Sequence, residues 1–216
     1  WLVNLITSGE NMAVIQSLAE KLMDAHPEIV SVVNNITGRK AAIAMGEYEV
    51  PVAGQTKLKD CIGDFEFEIS ANSFFQTNTR SAAMLYGKVK EFARLSGTES
   101  VLDLYSGTGT IAIFLSDAAR EVVGMEIVAS AVEDAEHNCR TNHIGNCRFV
   151  LGDIRERLAD LKDSPDVMII DPPRDGMHKD VLKQVMQTAP PRIVYVSCNP
   201  ATLARDISLL KDDYRI

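Results

Sequence analysis

Val101-Leu-Asp103-Leu-Tyr-Ser-Gly107-Thr-Gly109-Thr-Ile-Ala-Ile113 reads as a strand that runs into a tight glycine turn and then opens a helix. Glycines let the backbone come close to a ligand, and a helix start offers free amides. Outward from it, strand and helix patterns alternate. Val122 to Ile127 is a strand and Ala129 to Asn142 a helix; Cys147 to Leu151 and Val167 to Ile170 are strands. His178 to Thr188 is a helix, Ile193 to Ser197 a strand, Thr202 to Leu210 a helix, and Tyr214 to Ile216 starts another strand. Repeated β-α units predict a parallel, doubly wound sheet with helices on both faces, so the fold class is α/β and Rossmann-like.

The carboxyl edge of such a sheet is where ligands bind. A dinucleotide fingerprint needs a third glycine near Ala112 or Ile113, and none is there. Asp103, just before the glycines, would repel a pyrophosphate and attract a cation. That favours S-adenosylmethionine, with its ammonium and sulfonium, over a nicotinamide dinucleotide. Glu126 ends the second strand, where a carboxylate can accept ribose hydroxyls. Asp153 follows the third strand and could bond an adenine amino group or simply start a turn. Ile169-Ile-Asp171-Pro-Pro-Arg174-Asp-Gly176 follows the fourth, and its prolines fix an extended loop over the same crevice.

Arg192-Ile-Val-Tyr-Val-Ser-Cys198-Asn-Pro-Ala-Thr-Leu-Ala-Arg-Asp206 follows the same plan. A β-branched and aromatic run leads to Cys198, then Asn199 as a helix cap and Pro200 in the first turn. Cys198 therefore stands at a strand end ahead of a helix start, where amides and the helix dipole favour a nucleophilic thiolate. An inert cysteine is the competing reading.

Upstream, residues 1–70 read as a small α+β unit for scaffolding or substrate positioning, and 71–216 as the larger domain. Leu2 to Ile6, Glu28 to Ile36, Lys40 to Met45, Glu47 to Val52 and Gly63 to Ser70 read as strands, and Met12 to Met23 as a helix. Ala71 to Arg80 is a polar turn holding Phe74, Phe75 and Gln76, before a helix from about Ser81 to Leu95. By itself that turn reads as a hydrophobic plug and a helix start.

The composition is that of a water-soluble globular protein: 46% hydrophobic and 24% charged. No apolar run is long enough to span a membrane. The start lacks both a Met and a signal peptide, so a cytoplasmic fragment is expected. The four cysteines form no C-x-x-C pair, so no metal site is read. A net charge of −8 does not favour a nucleic-acid partner, which then needs a local basic patch.

Ser73-Phe-Phe-Gln76-Thr-Asn78, Asp103-Leu-Tyr-Ser-Gly-Thr-Gly109, Asp171-Pro-Pro-Arg174 and Ser197-Cys-Asn-Pro-Ala-Thr-Leu-Ala-Arg-Asp206 together resemble the RNA (uracil-5-)-methyltransferase family. The resemblance covers roughly residues 65–216. It implies a class I S-adenosylmethionine-dependent methyltransferase fold and methylation of C5 of a uridine in RNA, ribosomal 23S RNA more than tRNA. It implies Cys198 as nucleophile and a cofactor site lined by Gln76, Tyr105, Gly107, Glu126, Asp153 and Asp171; Gln76 and Tyr105 enter on this ground alone. The family's general-base glutamate lies beyond Ile216, and its N-terminal barrel and cysteine cluster are absent from this chain. A monomer is expected. An amino-group methyltransferase of the same fold, which needs no cysteine, and a non-catalytic cofactor- or RNA-binding module are the alternatives.

Overall fold

A computed structural model describes residues 1–9, 11–38, 48–161 and 163–215. The larger unit is built on a five-stranded parallel sheet: β6 (Ser100–Leu104), β7 (Glu121–Glu126), β8 (Cys147–Leu151), β9 (Val167–Ile170) and β10 (Arg192–Tyr195). Their order in space is β10-β9-β6-β7-β8. The chain moves outward from β6 to β8, then crosses back to β9 on the other side. The order therefore reverses between β6 and β9, and at that switch point a crevice opens at the carboxyl ends.

The strands are apolar on both faces because both are covered. β9, Val-Met-Ile-Ile, is buried at every residue. Alternate residues face opposite sides. Val101, Val122 and Ile169 pack with α2 (Thr79–Ala93), α3 (Thr110–Leu115) and α4 (Ala129–Thr141). Leu102, Val123 and Met168 pack with α5 (Ile154–Arg157), α6 (Lys179–Thr188) and α7 (Pro200–Leu210). At roughly 1.5–3 kcal/mol per fully buried aliphatic side chain, these two cores hold the strands in register and so fix the carboxyl edge of the sheet.

The N-terminal unit pairs β1 (Leu2–Thr7) in parallel with β2 (Ser31–Ile36), which pairs antiparallel with β3 (Tyr48–Gly54). α1 (Met12–Ala25) crosses between β1 and β2, and its Ala19 packs on Ile29 and Val32. The strand expected over Lys40 to Met45 lies outside the described residues.

Two expectations need correction. The strand expected over Gly63 to Ser70 is the second arm of a hairpin, β4 (Leu58–Ile62) and β5 (Phe65–Ile69). Gly63-Asp64 is its two-residue turn, and Gly63 has φ of +61°, so a glycine suits the position. Lys59 and Asp60 hid the first arm, because both are charged. Ile62, Phe67 and Ile69 of this hairpin lie in the core that holds Val101 and Val194. Second, Tyr214 and Arg215 form no strand. The Tyr214 amide donates to the Leu210 carbonyl (2.9 Å) and its hydroxyl to the Pro190 carbonyl (3.0 Å), which keeps it in a turn after α7.

Candidate active site

β6 is followed at once by Tyr105, whose φ of +64° is left-handed. A non-glycine residue there costs about 1–3 kcal/mol and persists only where the surroundings enforce it. The kink turns the chain from the strand into Ser106-Gly107-Thr108-Gly109. Gly109 caps α3 with φ of +77°, and an added Cβ would lie 2.7 Å from the Phe149 ring. The turn is therefore glycine for two reasons, backbone hand and close packing.

Glu126, at the end of β7, is tied to this turn. Its Oε2 accepts from the Gly107 amide (2.9 Å) and its Oε1 from the Ile127 and Val128 amides (2.8 and 2.9 Å). A carboxylate has about four acceptor positions. One remains, on Oε2, so Glu126 can take one further hydroxyl here, or two if Gly107 releases its bond.

Asp153 caps α5, accepting from the Arg155 amide at 2.9 Å. The Arg155 guanidinium grips the same carboxylate and, with the amide, holds its pKa down at about 2. Asp153 thus starts a turn, as one of its two readings has it, and it also lines the crevice. Tyr105, Glu126 and Asp153 line one cavity of about 250 Å³ together with Ile127, Pro173 and His178.

Asp103 stands beneath the turn, fully buried, and neither carboxylate oxygen has a hydrogen-bond partner. Burial raises its pKa well above the usual aspartate value, the nearby Asp171 adds to that, and the Ala112 amide opposes it from outside bonding geometry. Asp171, following β9, is likewise raised by burial. Burial thus holds two neighbouring acids towards neutrality, and one of them has no hydrogen-bond partner; a cation brought beside them would favour their charged forms.

Cys198 is exposed, three residues past the end of β10 and just ahead of Asn199, the cap of α7. The Asn199 side chain accepts from the Ala201 amide (3.1 Å), and Pro200 starts the helix. The rest of the motif grips the Asp171–Met177 loop. Asn199 Nδ2 and Thr202 Oγ1 donate to the Arg174 carbonyl (3.1 and 3.3 Å). Arg205 Nη2 donates to the Asp175 and Met177 carbonyls (3.0 and 3.2 Å). Asp206, 1% exposed, accepts from the Met177 amide (2.9 Å), the Tyr195 hydroxyl (2.7 Å) and Arg205 Nε (2.8 Å). Asp206→Ala would remove a buried acceptor from all three donors and leave the buried Met177 amide unpaired, at a cost of about 3 kcal/mol. Thermal unfolding of the variant should fall by about 6–12 °C.

A family model described as tRNA (uracil-5-)-methyltransferase matches residues 10–216. The chain belongs to that family. An uncharacterized RNA methyltransferase of Enterococcus faecalis is 42% identical over 98% of this chain and 47% of its own length. One from Chlorobaculum tepidum is 41% identical over 95% of this chain and 44% of its own. The crystal structure of Pyrococcus abyssi tRNA (uracil-54, C5)-methyltransferase in complex with S-adenosyl-L-homocysteine is 32% identical, with a TM-score of 0.75, over all of this chain and 50% of that one. The chain spans about half the length of these relatives. Trm5b of Pyrococcus abyssi, 16% identical with a TM-score of 0.63, shares the fold. The expected Rossmann-like methyltransferase fold is thus present in this family member.

The structure gathers Tyr105, Glu126 and Asp153 at one cavity, ties Gly107 to it through the Glu126 carboxylate, and places Asp171 near Asp103. Gln76 and Cys198 do not line that cavity. Gln76 is half-buried between Phe75, which packs on Phe67 (centroids 5.7 Å), and Asn78, the cap of α2. Sequence reasoning missed Arg155 and His178 at the cavity and the bracing role of Arg205 and Asp206. The last two had a signal, since they are adjacent residues in the second turn of α7 and close the Ser197–Asp206 motif. Among the described residues no group of three or more His, Cys, Asp or Glu side chains could hold a metal.

Proposed function

We propose that this chain methylates C5 of a uridine in RNA, with S-adenosylmethionine as methyl donor and Cys198 as covalent nucleophile. The observation that carries the cofactor reading is the orphaned, buried carboxylate of Asp103 beside Asp171 under a glycine turn. A ligand bearing an ammonium and a nucleoside fits that set: Asp103 and Asp171 face the cation, Glu126 accepts a ribose hydroxyl, and Tyr105 and Asp153 flank the base. Gln76 is assigned to the same site on family resemblance. The cofactor supplies an electrophilic methyl group on a sulfonium sulfur.

Uracil C5 is a poor nucleophile, and the residues answer that. The Cys198 thiolate adds to C6, breaking the C5–C6 π bond and placing its electron pair on an enolate across C5, C4 and O4. C5 then takes the methyl. Removal of the C5 proton expels the thiolate and restores the ring. The last proton removal is assigned to no residue of this chain. The target base must leave its stack to reach such an edge. Phe74, 75% exposed beside half-buried Phe75, is placed to stack on it.

The sequence reading favours ribosomal RNA, whereas the Pyrococcus abyssi relative is by name a tRNA enzyme; both RNAs belong in the test. We place the boundary of this domain ahead of Leu58, so that the hairpin stays with its core. The test is incubation with S-adenosylmethionine and RNA carrying [5-³H]uridine. Tritium released in step with methyl incorporation supports C5 as the target. Methyl incorporation without tritium release overturns it in favour of an amino-group acceptor.

A further inference from the structure

The buried side of α4 carries Asp134 and Asn138, and half-buried Asn142 caps its end, each four residues after the last. Asn142 bonds both backbone groups of Glu66, accepting from its amide (2.9 Å) and donating to its carbonyl (2.7 Å). Asn138 accepts from the Glu68 amide (2.8 Å), and Asp134 from the Ser70 amide (3.0 Å). Four helical residues rise about 6 Å and two strand residues about 6.6 Å, so the ladder stays in step. It closes the edge of β5 that β4 leaves open.

The Asp134 end does more than close an edge. This carboxylate, 1% exposed, also accepts from the Ser70 hydroxyl (2.8 Å), the Ser73 hydroxyl (2.8 Å) and Lys57 Nζ (2.6 Å). Ser73 lies three residues before Gln76. One turn along α4, Asn138 Nδ2 donates to the Thr108 carbonyl inside the glycine turn (3.4 Å). One helix face thus holds both segments that are read as cofactor-lining.

We propose that Asp134 is a positioning residue for cofactor binding: it anchors the Ser70–Ser73 turn, which leads into Gln76 three residues on, in register with the glycine turn. The proposal rests on the cofactor reading given above. Asp134→Asn keeps the volume but turns an amide donor onto donors, while Lys57, 29% exposed, can swing to solvent. Ser73→Ala removes a single bond and spares the fold. Asn142→Ala cuts the far end of the ladder and serves as control.

The readouts are the dissociation constant of S-adenosyl-L-homocysteine by calorimetry and amide hydrogen exchange over residues 70–78. Asp134→Asn should weaken binding about tenfold or more and Ser73→Ala about threefold, both with faster exchange over 70–78, as for lost outer-shell support. Asn142→Ala should lower the unfolding midpoint and leave the constant unchanged. Unchanged affinity in Ser73→Ala and Asp134→Asn despite faster exchange overturns the proposal. So does an equal loss in Asn142→Ala, which would be general destabilisation. A wild-type chain that binds no S-adenosyl-L-homocysteine overturns the cofactor reading itself, and the positioning role with it.

Discussion

Cys198→Ala will reduce methyl transfer to RNA by about 10⁴-fold or more, the scale on which loss of a covalent nucleophile acts. It will leave S-adenosyl-L-homocysteine affinity within about twofold, because Cys198 lies outside the cavity lined by Tyr105, Glu126 and Asp153. It will leave stability within about 0.5 kcal/mol, because the thiol is exposed and packs in no core. The three readouts separate nucleophile from scaffold. An inert cysteine at this position would show the same binding and stability but normal turnover.

Asp103→Asn carries the second large expectation, and its effects have opposite signs. Without ligand, the variant loses a fully buried carboxylate whose oxygens have no partner. Relief of that burial is worth about 1–2 kcal/mol, or about 2–8 °C in the unfolding midpoint. With ligand, the variant lacks the charge that faces the ammonium, and affinity for S-adenosyl-L-homocysteine should fall about a hundredfold.

The pH dependence follows from the raised pKa. Below the ordinary aspartate value of 3.8, residue 103 is protonated both folded and unfolded and contributes nothing. As pH rises through 3.8 the unfolded chain ionises while the folded chain keeps its proton, so wild-type stability falls until the folded group ionises too. Asp171, raised by burial, adds in the same direction. Cofactor affinity moves oppositely across the same window and tightens as the two carboxylates ionise. Asp103→Asn should flatten both slopes, measured by thermal unfolding and calorimetry from pH 4 upward.

Much of the parallel sheet was legible because its strands are buried on both faces and read as plain apolar runs. Val167 to Ile170 and Cys147 to Leu151 match the observed strands residue for residue. Asn199 and Pro200 announced α7 through local chemistry alone. The glycine turn was legible too, but not the strain at Tyr105, since a tyrosine gives no sign of a left-handed backbone. β4 was hidden by Lys59 and Asp60, although Gly-Asp between two short runs is a hairpin signal. Tyr214 looked like a strand start and is held in a turn by Pro190, a tertiary bond that no local pattern announces.

The candidate site was legible in part. Acids at strand ends could be placed because the fold fixes where strand ends go. The ladder from Asp134 to Asn142 was not, because polar residues at helical spacing read as a solvated face. Burial against the edge of β5 gives them their role, and that contact joins segments more than sixty residues apart. Glu126 shows the reverse: its place was foreseen, but not its three amide donors, which limit what it can still accept.

Intact-mass spectrometry after mixing the chain, S-adenosylmethionine and a 5-fluorouridine-containing RNA tests the central claim most directly. Fluorine at C5 cannot leave as a proton does, so the methylated species should remain bonded through Cys198. The expected result is a new mass equal to protein plus RNA plus one methyl group, lost in Cys198→Ala and mapped to residue 198 by peptide sequencing. Methyl transfer to the same RNA with no covalent species, or an adduct that survives Cys198→Ala, would contradict it.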